Sequence, residues 1–389
     1  MKWIRFGSIR YTKMRRNFFT LLLPAVLILL VSCGTDTTVD NEVLDERIQI
    51  EGISKWYNGY RSVYTPTYDS GRPDLHETEN NWLIERDLFM DYEIVSYNFD
   101  KYPSMYTYLK ENLVPYGFGV FGHGHKHDNH DNYGYEYSLN SFTKNYNSMV
   151  EQGFQPISYA YPYGAGLLPE TRQALKESGF LSGRLFEPEF EGYGPYITPG
   201  DEMEPPDWFA LPSLRMEDIG FQNRSDAVNN PEEFIAHLDK NIELGGWLIS
   251  TYHGIGWDGE TDSRPVGWGF YKRENFYEEM LYVKSQREEG NVWLATMDDV
   301  TLYMMQRNNA AYDLEKTEEN KYELYLDDGL DNELYRMNLT LKLTADPDFI
   351  GKTIVISAEN ETIKEMEIES EDILINLHPS GTTYTLNVI

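Results

Sequence analysis

The sequence predicts an α/β fold followed by a smaller antiparallel β unit. Three observations carry this. Short apolar runs alternate with helix-like segments from about Ile50 to Asn309, the pattern of parallel strands joined by helical crossovers. After about Asn309 the apolar residues recur at every second position, which implies strands with one wet face. Several of the earlier runs end in a polar or aromatic residue followed closely by glycine.

The apolar runs are Ser62 to Tyr68, Tyr92 to Asn98, Gly117 to Phe121, Ile157 to Tyr161, Trp247 to Tyr252 and Val292 to Ala295. Their near-continuous hydrophobicity suits strands covered on both faces. Among the helices, Pro231 to Leu244 has Asn230 as a cap, proline in its first turn and Gly245-Gly246 as its stop. Phe234, Leu238 and Ile242 fall on one face of it. Pro169 to Ser178 stops at Gly179, and Asp298 to Arg307 forms a third helix. In the last part, Met337, Leu339, Leu341 and Leu343 alternate with polar residues. Glu365 to Ile368, Ile373 to Leu377 and Tyr384, Leu386 and Val388 do so in part, and the whole reads as a small sandwich. There is no internal repeat and no low-complexity tract.

The net charge is −31, although the first 32 residues hold six basic residues and no acidic one. So acidic a body should repel nucleic acid and anionic lipid, and no basic stripe offsets it. Tyrosine is abundant, with 30 copies beside 8 tryptophans; rings with a polar edge suit stacking on sugars as well as ordinary core and rim positions. The single cysteine, Cys33, follows a basic stretch, the 14-residue apolar run Phe18 to Val31, and Ser32. That run is too short to span a bilayer comfortably. The arrangement resembles a bacterial lipoprotein signal, in which cleavage precedes the cysteine and its thiol carries the lipid. Met14-Arg15-Arg16 would be a more ordinary start for such a signal. Gly34 is not the aspartate associated with inner-membrane retention, so the resemblance implies the outer membrane of a Gram-negative cell. The expected organisation is a signal over 1–33, an acidic tether over 34–50, a barrel over 51–310 and a sandwich over 311–389.

Polar groups at the strand ends are the functional candidates. Asp69 follows the first run, His123 the third, Pro162-Tyr163-Gly164 the fourth and His253 the fifth. In a barrel of parallel strands these ends share one rim, where chemistry sits. Four of the eight histidines lie within Gly122 to Asp131. Neutral imidazole is the commonest transition-metal ligand, and His123 and His127 can face one ion if the chain turns back after the strand. His125 would then point elsewhere, and His130 is a rim residue or has no role. Asp69 reads as a metal ligand, a general base or a turn aspartate; His253 as a general acid or a core histidine. Tyr163 and Gly164 could hold an oxyanion or form a plain turn.

These stretches resemble the motifs of the polysaccharide deacetylases, carbohydrate esterases that remove acetyl groups from sugars. Thr67-Tyr68-Asp69-Ser70-Gly71 stands for that family's Thr-Phe-Asp-Asp-Gly. His123-Gly124-His125-Lys126-His127 keeps both histidines of its second motif. Ala160-Tyr161-Pro162-Tyr163-Gly164 matches Arg-x-Pro-Tyr-Gly without the arginine, and Leu248 to His253 matches the strand that ends in a catalytic histidine. Asn291 to Val300 and Ala174 to Arg184 are similar to later family segments, and Asp207-Trp208 echoes its fourth motif, with Trp208 at the substrate.

The resemblance implies a distorted (β/α) barrel of seven or eight strands and hydrolysis of N- or O-acetyl groups on an envelope or extracellular polysaccharide. It implies a divalent ion, usually zinc, on His123, His127 and a carboxylate. Asp69 is implied as base, His253 as acid, and the Tyr163 amide as a support for the oxyanion. Ser70 stands where the family has a ligating aspartate. Either Asp69 turns to ligation, or Asp74 or Asp128 moves in, or the ion binds poorly. Ala160 removes the arginine that steadies the base, a role open to Arg184. A sugar-binding barrel without turnover and a different metallohydrolase are the other readings.

Overall fold

The computed structural model describes residues 47–69, 73–192, 194–198, 204–217, 227–255, 270–359 and 361–389. The signal-like segment over 1–33 with Cys33, most of the tether, and Ser70-Gly71 lie outside the described residues. No helix among the described residues is long and apolar enough to cross a membrane.

The first described strand, β1 (Ile48–Ile53), pairs antiparallel with a strand near the C-terminus, Leu339–Ala345. The tether expected over 34–50 therefore ends early, and residues expected to open the barrel belong to the sandwich instead. Ile48 is the reason: it is buried in the sandwich core.

The barrel strands follow as β2 (Ser62–Tyr68), β3 (Asp91–Ile94), β4 (Gly119–Gly122), β5 (Ser158–Ala160), β6 (Ser182–Arg184), β7 (Tyr196–Ile197), β8 (Leu214–Met216) and β9 (Trp247–Tyr252). A two-residue pair, β10 (Gly254–Ile255) and β11 (Phe270–Tyr271), comes next, then β12 (Val292–Leu294). The order β6-β5-β4-β3-β2-β9-β8 is parallel throughout. Leu211 N donates to Gly183 O at 2.9 Å and Leu185 N to Leu211 O at 2.8 Å, so β6 meets the segment that leads into β8 and the sheet closes. β12 pairs with the start of β2, and β7 lies antiparallel on β9. The closed sheet thus has seven parallel strands with an eighth at its foot. β6 and β8 are three residues each, too short to show a period, which is why the sequence does not reveal them.

The crossovers include α1 (Glu77–Ile84), α2 (Pro103–Tyr108), α3 (Gly134–Glu151), α4 (Pro169–Glu177), α5 (Pro231–Leu244), α6 (Arg273–Glu288) and α7 (Met297–Asn309). In α5, Asn230 accepts from Glu233 N, Pro231 occupies the first turn, and Gly245 ends the helix at φ +62°. Phe234, Leu238 and Ile242 are buried as the spacing predicts. Alternate strand residues separate two environments. Tyr64, Tyr68, Tyr92, Tyr159, Tyr161 and Tyr252 join the core beneath the helices. The opposite faces turn inward. Val63, Trp247 and Ile249 pack there with Met297, Val300 and Tyr303 of α7, which plugs the foot of the barrel. Above the plug the inward residues are small and polar. Thr65 Oγ1 donates to Ala295 O at 2.8 Å, Ser182 Oγ lies 3.0 Å from Thr301 Oγ1, and Thr251 Oγ1 donates to Ser213 Oγ at 3.0 Å. Each buried hydroxyl is thereby satisfied.

The C-terminal strands are β13 (Ala311–Glu318), β14 (Lys321–Asp327), β15 (Leu339–Ala345), β16 (Thr353–Ala358), β17 (Glu361–Glu367), β18 (Asp372–Leu377) and β19 (Ser380–Val388). They form the sheets β1-β15-β18 and β13-β14-β19-β16-β17, with Leu341, Leu343, Ile354, Ile356, Ile375 and Leu386 between them. Gln306 of α7 exchanges hydrogen bonds with the Met337 backbone at 3.0 and 2.8 Å, which braces the plug against this unit.

One buried carboxyl outside the barrel lumen sets a pH dependence. Glu279 of α6 accepts hydrogen bonds from Tyr252 Oη, at 3.0 Å, and from Tyr271 Oη. Burial outweighs both donors and pushes its pKa up to about 8. In the unfolded chain a glutamate ionises near its ordinary value, so between roughly pH 4.3 and 8 the unfolded state alone releases its proton and the fold loses stability as pH rises. Over that span the loss is on the order of 3–5 kcal/mol. Glu279→Gln should flatten the slope of unfolding free energy against pH in this window, as read by urea titrations at pH 5, 6.5 and 8. An unchanged slope would show that Glu279 is ionised in the fold.

Candidate metal centre

The lining groups come from the carboxyl ends of neighbouring strands, with His123 and His127 both supplied by the segment after β4. β3 ends with Glu93-Ile94, and strand alternation turns Glu93 to the lumen on the same face as Asp91. Asp91 is used lower down, where it accepts from Met297 N at 2.7 Å at the start of α7. Glu93 sits at the top, with Oε2 3.0 Å from His123 Nε2. That oxygen is buried and accepts no hydrogen bond.

His123 follows β4 and is 2% exposed. Its Nδ1–H donates to Ala160 O at 2.9 Å, which fixes the tautomer that leaves Nε2 free to ligate. Burial alone would lower its pKa, but the Glu93 carboxylate, with Asp69 beyond it, raises it instead. The same negative charge that raises the proton affinity of His123 would favour a cation there. His127 packs between His123, at 4.8 Å between ring centroids, and Tyr163, at 4.4 Å. Lost hydration, and then the neighbouring His123, bring it down to about 4, so the ring is neutral at pH 7 and ready to donate a lone pair.

Glu93, His123 and His127 each offer a ligand atom, and these lie within 4.8 Å of one another. An orphaned buried carboxylate oxygen facing two imidazole nitrogens fits a divalent ion. Two histidines and a glutamate are a known catalytic zinc set that leaves one coordination position open. Among the described residues, Glu93 is thus the carboxylate placed to complete the set with the two histidines. Asp69, Asp74 and Asp128, expected as candidates, lie outside this group. Asp128 accepts from Tyr137 Oη at 2.6 Å instead. Glu93 escaped the sequence reading because its run was read as uniformly apolar. The available signal was two acidic residues at alternate positions of one short strand.

Asp69 follows β2, where its N–H donates to Tyr252 O at 2.8 Å. Its carboxylate is paired with the fully buried Arg184 of β6. Ala160 and Arg184 are direct partners across β5 and β6. The arginine missing from the third motif-like stretch thus stands one strand over, in the same row of the sheet. The Arg184 guanidinium also lies over the Phe121 ring at 5.5 Å. Burial would raise the Asp69 pKa, but Arg184, His123 and His253 together hold it below the usual carboxylate range. His253 follows β9, edge-on to Phe186 at 5.1 Å, and its buried Nδ1 has no hydrogen-bond partner. Burial, with Arg184 and His123 adding, lowers it to about 4 against the opposing pull of Asp69.

Tyr163 adopts φ +57°, a left-handed conformation that costs a non-glycine residue, and Gly164 follows at φ +69°. The turn leaves the Tyr163 ring 55% exposed beside His127. The remaining candidates go elsewhere. His125 points away to Ser96 Oγ at 3.1 Å, as expected. His130 is a core histidine, buried on Phe142 and 3.0 Å from Ser141 Oγ. Trp208, expected at the substrate, packs with the cluster of Trp56, Trp247 and Trp293 at the foot of the barrel. Its carbonyl is drawn there by pairing with Gly183 N, at 2.8 Å.

No family model matches the chain, and no curated protein matches it. Solved structures do. A protein of Mycobacterium smegmatis assigned to the polysaccharide deacetylases is 16% identical with a TM-score of 0.45, over 70% of this chain and 99% of that one. A family 4 carbohydrate esterase from Streptomyces lividans is 11% identical with a TM-score of 0.35, over 60% and 91%. A peptidoglycan deacetylase from Bacillus subtilis is 12% identical with a TM-score of 0.33, over 61% and 88%. All three carry names from the family whose motifs the sequence resembles.

The Asp69–Arg184 pair makes a measurable statement. Removing the guanidinium leaves the carboxylate buried beside fewer positive charges, so its pKa must rise. In Arg184→Met the Asp69 carboxyl should titrate about one unit or more higher than in wild type, as read by NMR. An unchanged Asp69 titration, in a variant whose circular dichroism matches wild type, would show that Arg184 does not hold the carboxylate down.

Proposed function

We propose that the protein is a metal-dependent deacetylase that hydrolyses acetyl groups on a polysaccharide or oligosaccharide. One observation carries the reading: two histidines and a glutamate in ligand range share a barrel rim with an ionised carboxylate and a neutral imidazole. Glu93, His123 and His127 would hold the ion, for which the donor set favours zinc. When bound, such an ion supplies Lewis acidity to the acetyl carbonyl and makes water easier to deprotonate.

The residues of the chain do the rest. Asp69, kept ionised and oriented by Arg184, takes the proton from the attacking water. The Tyr163 amide and the tight turn at Gly164 would support the oxygen on which negative charge gathers. His253 is neutral at rest. Charge developing beside it raises its proton affinity, so that it can collect a proton and pass it to the departing amine or hydroxyl. Water's oxygen ends in acetate and its protons in the leaving group and solvent. The lipid on Cys33 would hold this domain at the cell envelope, where acetylated glycans lie.

The decisive measurement is elemental analysis beside acetate release. Wild type should retain one equivalent of divalent ion, and Glu93→Ala and His127→Ala should retain none. Asp69→Asn should keep the ion but lose on the order of 10²–10⁴ in kcat. Acetate release is read on N-acetylated and O-acetylated oligosaccharides. A metal-replete wild type that releases none from any of them would leave a sugar-binding barrel without turnover. A Glu93→Ala variant that keeps its ion would remove Glu93 from the ligand set.

A further inference from the structure

The turn that carries Tyr163 has a shape its sequence does not favour. Ala165 N donates to Pro162 O at 3.1 Å, and the two residues between them, Tyr163 and Gly164, both have positive φ, at +57° and +69°. That is the geometry of a type I′ turn. Glycine enters it freely, but the Cβ of tyrosine crowds the backbone there. A residue in such a conformation persists only where its surroundings over-determine it.

The residues just after the turn are gripped from two sides. Gly166 N and Leu167 N both donate to Asp131, one to each carboxylate oxygen, at 3.1 Å. Arg172 of α4 donates to Gly166 O at 3.0 Å and to Leu167 O at 2.9 Å, and is itself paired with Asp207 at 2.9 Å. Gly166 also lies hard against the Tyr161 ring, where a Cβ would come within 2.5 Å of it. The chain leaving Tyr163 therefore has little slack.

Of the two grips, Arg172 ties the turn to α4 and Asp131 ties it to the segment that carries the histidines. Asp131 follows His127 by four residues, in the short helical turn His130–Asn132 that leads into α3. His130 beside it is fully buried, so the carboxylate projects from a fixed point. An aspartate just ahead of a helix ordinarily caps that helix. Here α3 has no side-chain cap, and both Asp131 oxygens turn to the neighbouring loop instead.

We propose that Asp131 is a positioning residue: its carboxylate fixes the Tyr163 turn at a set distance from the histidine segment, so that the Tyr163 amide stands where the reacting oxygen gathers charge. The inference rests on the deacetylase reading of the metal centre. That charge develops only in the transition state, so the loss of Asp131 shows in kcat rather than in KM. Arg172 keeps its grip, and the turn loosens without unfolding.

The test measures hydrolysis of the N-acetylglucosamine hexamer and of an O-acetylated xylose oligomer. On whichever of them wild type hydrolyses, Asp131→Ala should lower kcat about tenfold or more, while KM changes by less than about twofold. Asp131→Asn, whose single carbonyl oxygen replaces two carboxylate oxygens, should fall between the two. Both variants should hold as much divalent ion as wild type. Amide hydrogen exchange, read by NMR, should quicken about tenfold at Gly166 and Leu167 in Asp131→Ala and stay unchanged in the barrel strands. An unchanged kcat, a loss confined to KM, loss of the ion, or exchange that quickens throughout the barrel would overturn the proposal. If wild type hydrolyses neither substrate, the deacetylase reading fails and exchange judges the anchor alone. Quickening confined to Gly166 and Leu167 then supports it, and equal exchange refutes it.

Discussion

Two carboxylates are buried at the top of the barrel lumen, and the surrounding structure is arranged to compensate them. Removing an ionised carboxylate from water costs several kcal/mol unless a counter-charge and hydrogen bonds replace the lost hydration. Asp69 has its counter-charge in Arg184, which is fully buried and reaches it from across the sheet. Among the described residues Glu93 has only His123, at 3.0 Å, and one of its oxygens accepts no hydrogen bond. The first pair is closed. The second is open, with a second imidazole nearby and room in its coordination for a cation. That difference is the ground on which the two carboxylates, at neighbouring strand ends, are proposed for different roles.

The fold provides the rigid setting this requires. Strand alternation sends tyrosines outward under the helices and small hydroxyl residues inward, so the lumen is polar and its hydroxyls are paired with one another and with the backbone. α7 seals the foot, and its own N-terminus is held by Thr296 and by Asp91. Asp298, pushed up to about 7 by burial, accepts from Ser158 N at 3.0 Å and holds the base of β5. Above these fixed points the strand ends deliver their side chains at set heights. A site built on strand termini is more exact than one built on free loops. His127 lies on a loop, but backbone hydrogen bonds to the turn after β3 restrain that loop.

The lengths of the runs decided how much was readable. β2 and β9, with seven and six residues, were plain in the sequence, as was α5, whose cap, proline and glycine all agree. β6 and β8 were invisible, yet they carry Arg184 and Arg215 and close the barrel. Trp208 was misplaced for a related reason: an Asp-Trp pair looks the same whether the chain around it faces the rim or pairs back along β6. Residues 48–50 read as tether because a strand that pairs only with the far end of the chain leaves no local mark.

The sequence by itself determined the class of fold, the period-two sandwich, and the histidines and aspartate that follow apolar runs, because strand periodicity and strand ends are local properties. Only the tertiary structure decided which carboxylate meets those histidines and which arginine meets Asp69. Glu93 is 30 residues from His123 along the chain, but β3 lies beside β4 with Glu93 in register with Phe121. Arg184 takes the place left empty at Ala160 because the two are partners across β5 and β6. Charge compensation acts through space between adjacent strands, and adjacency across a sheet is set by folding, not by the order of residues.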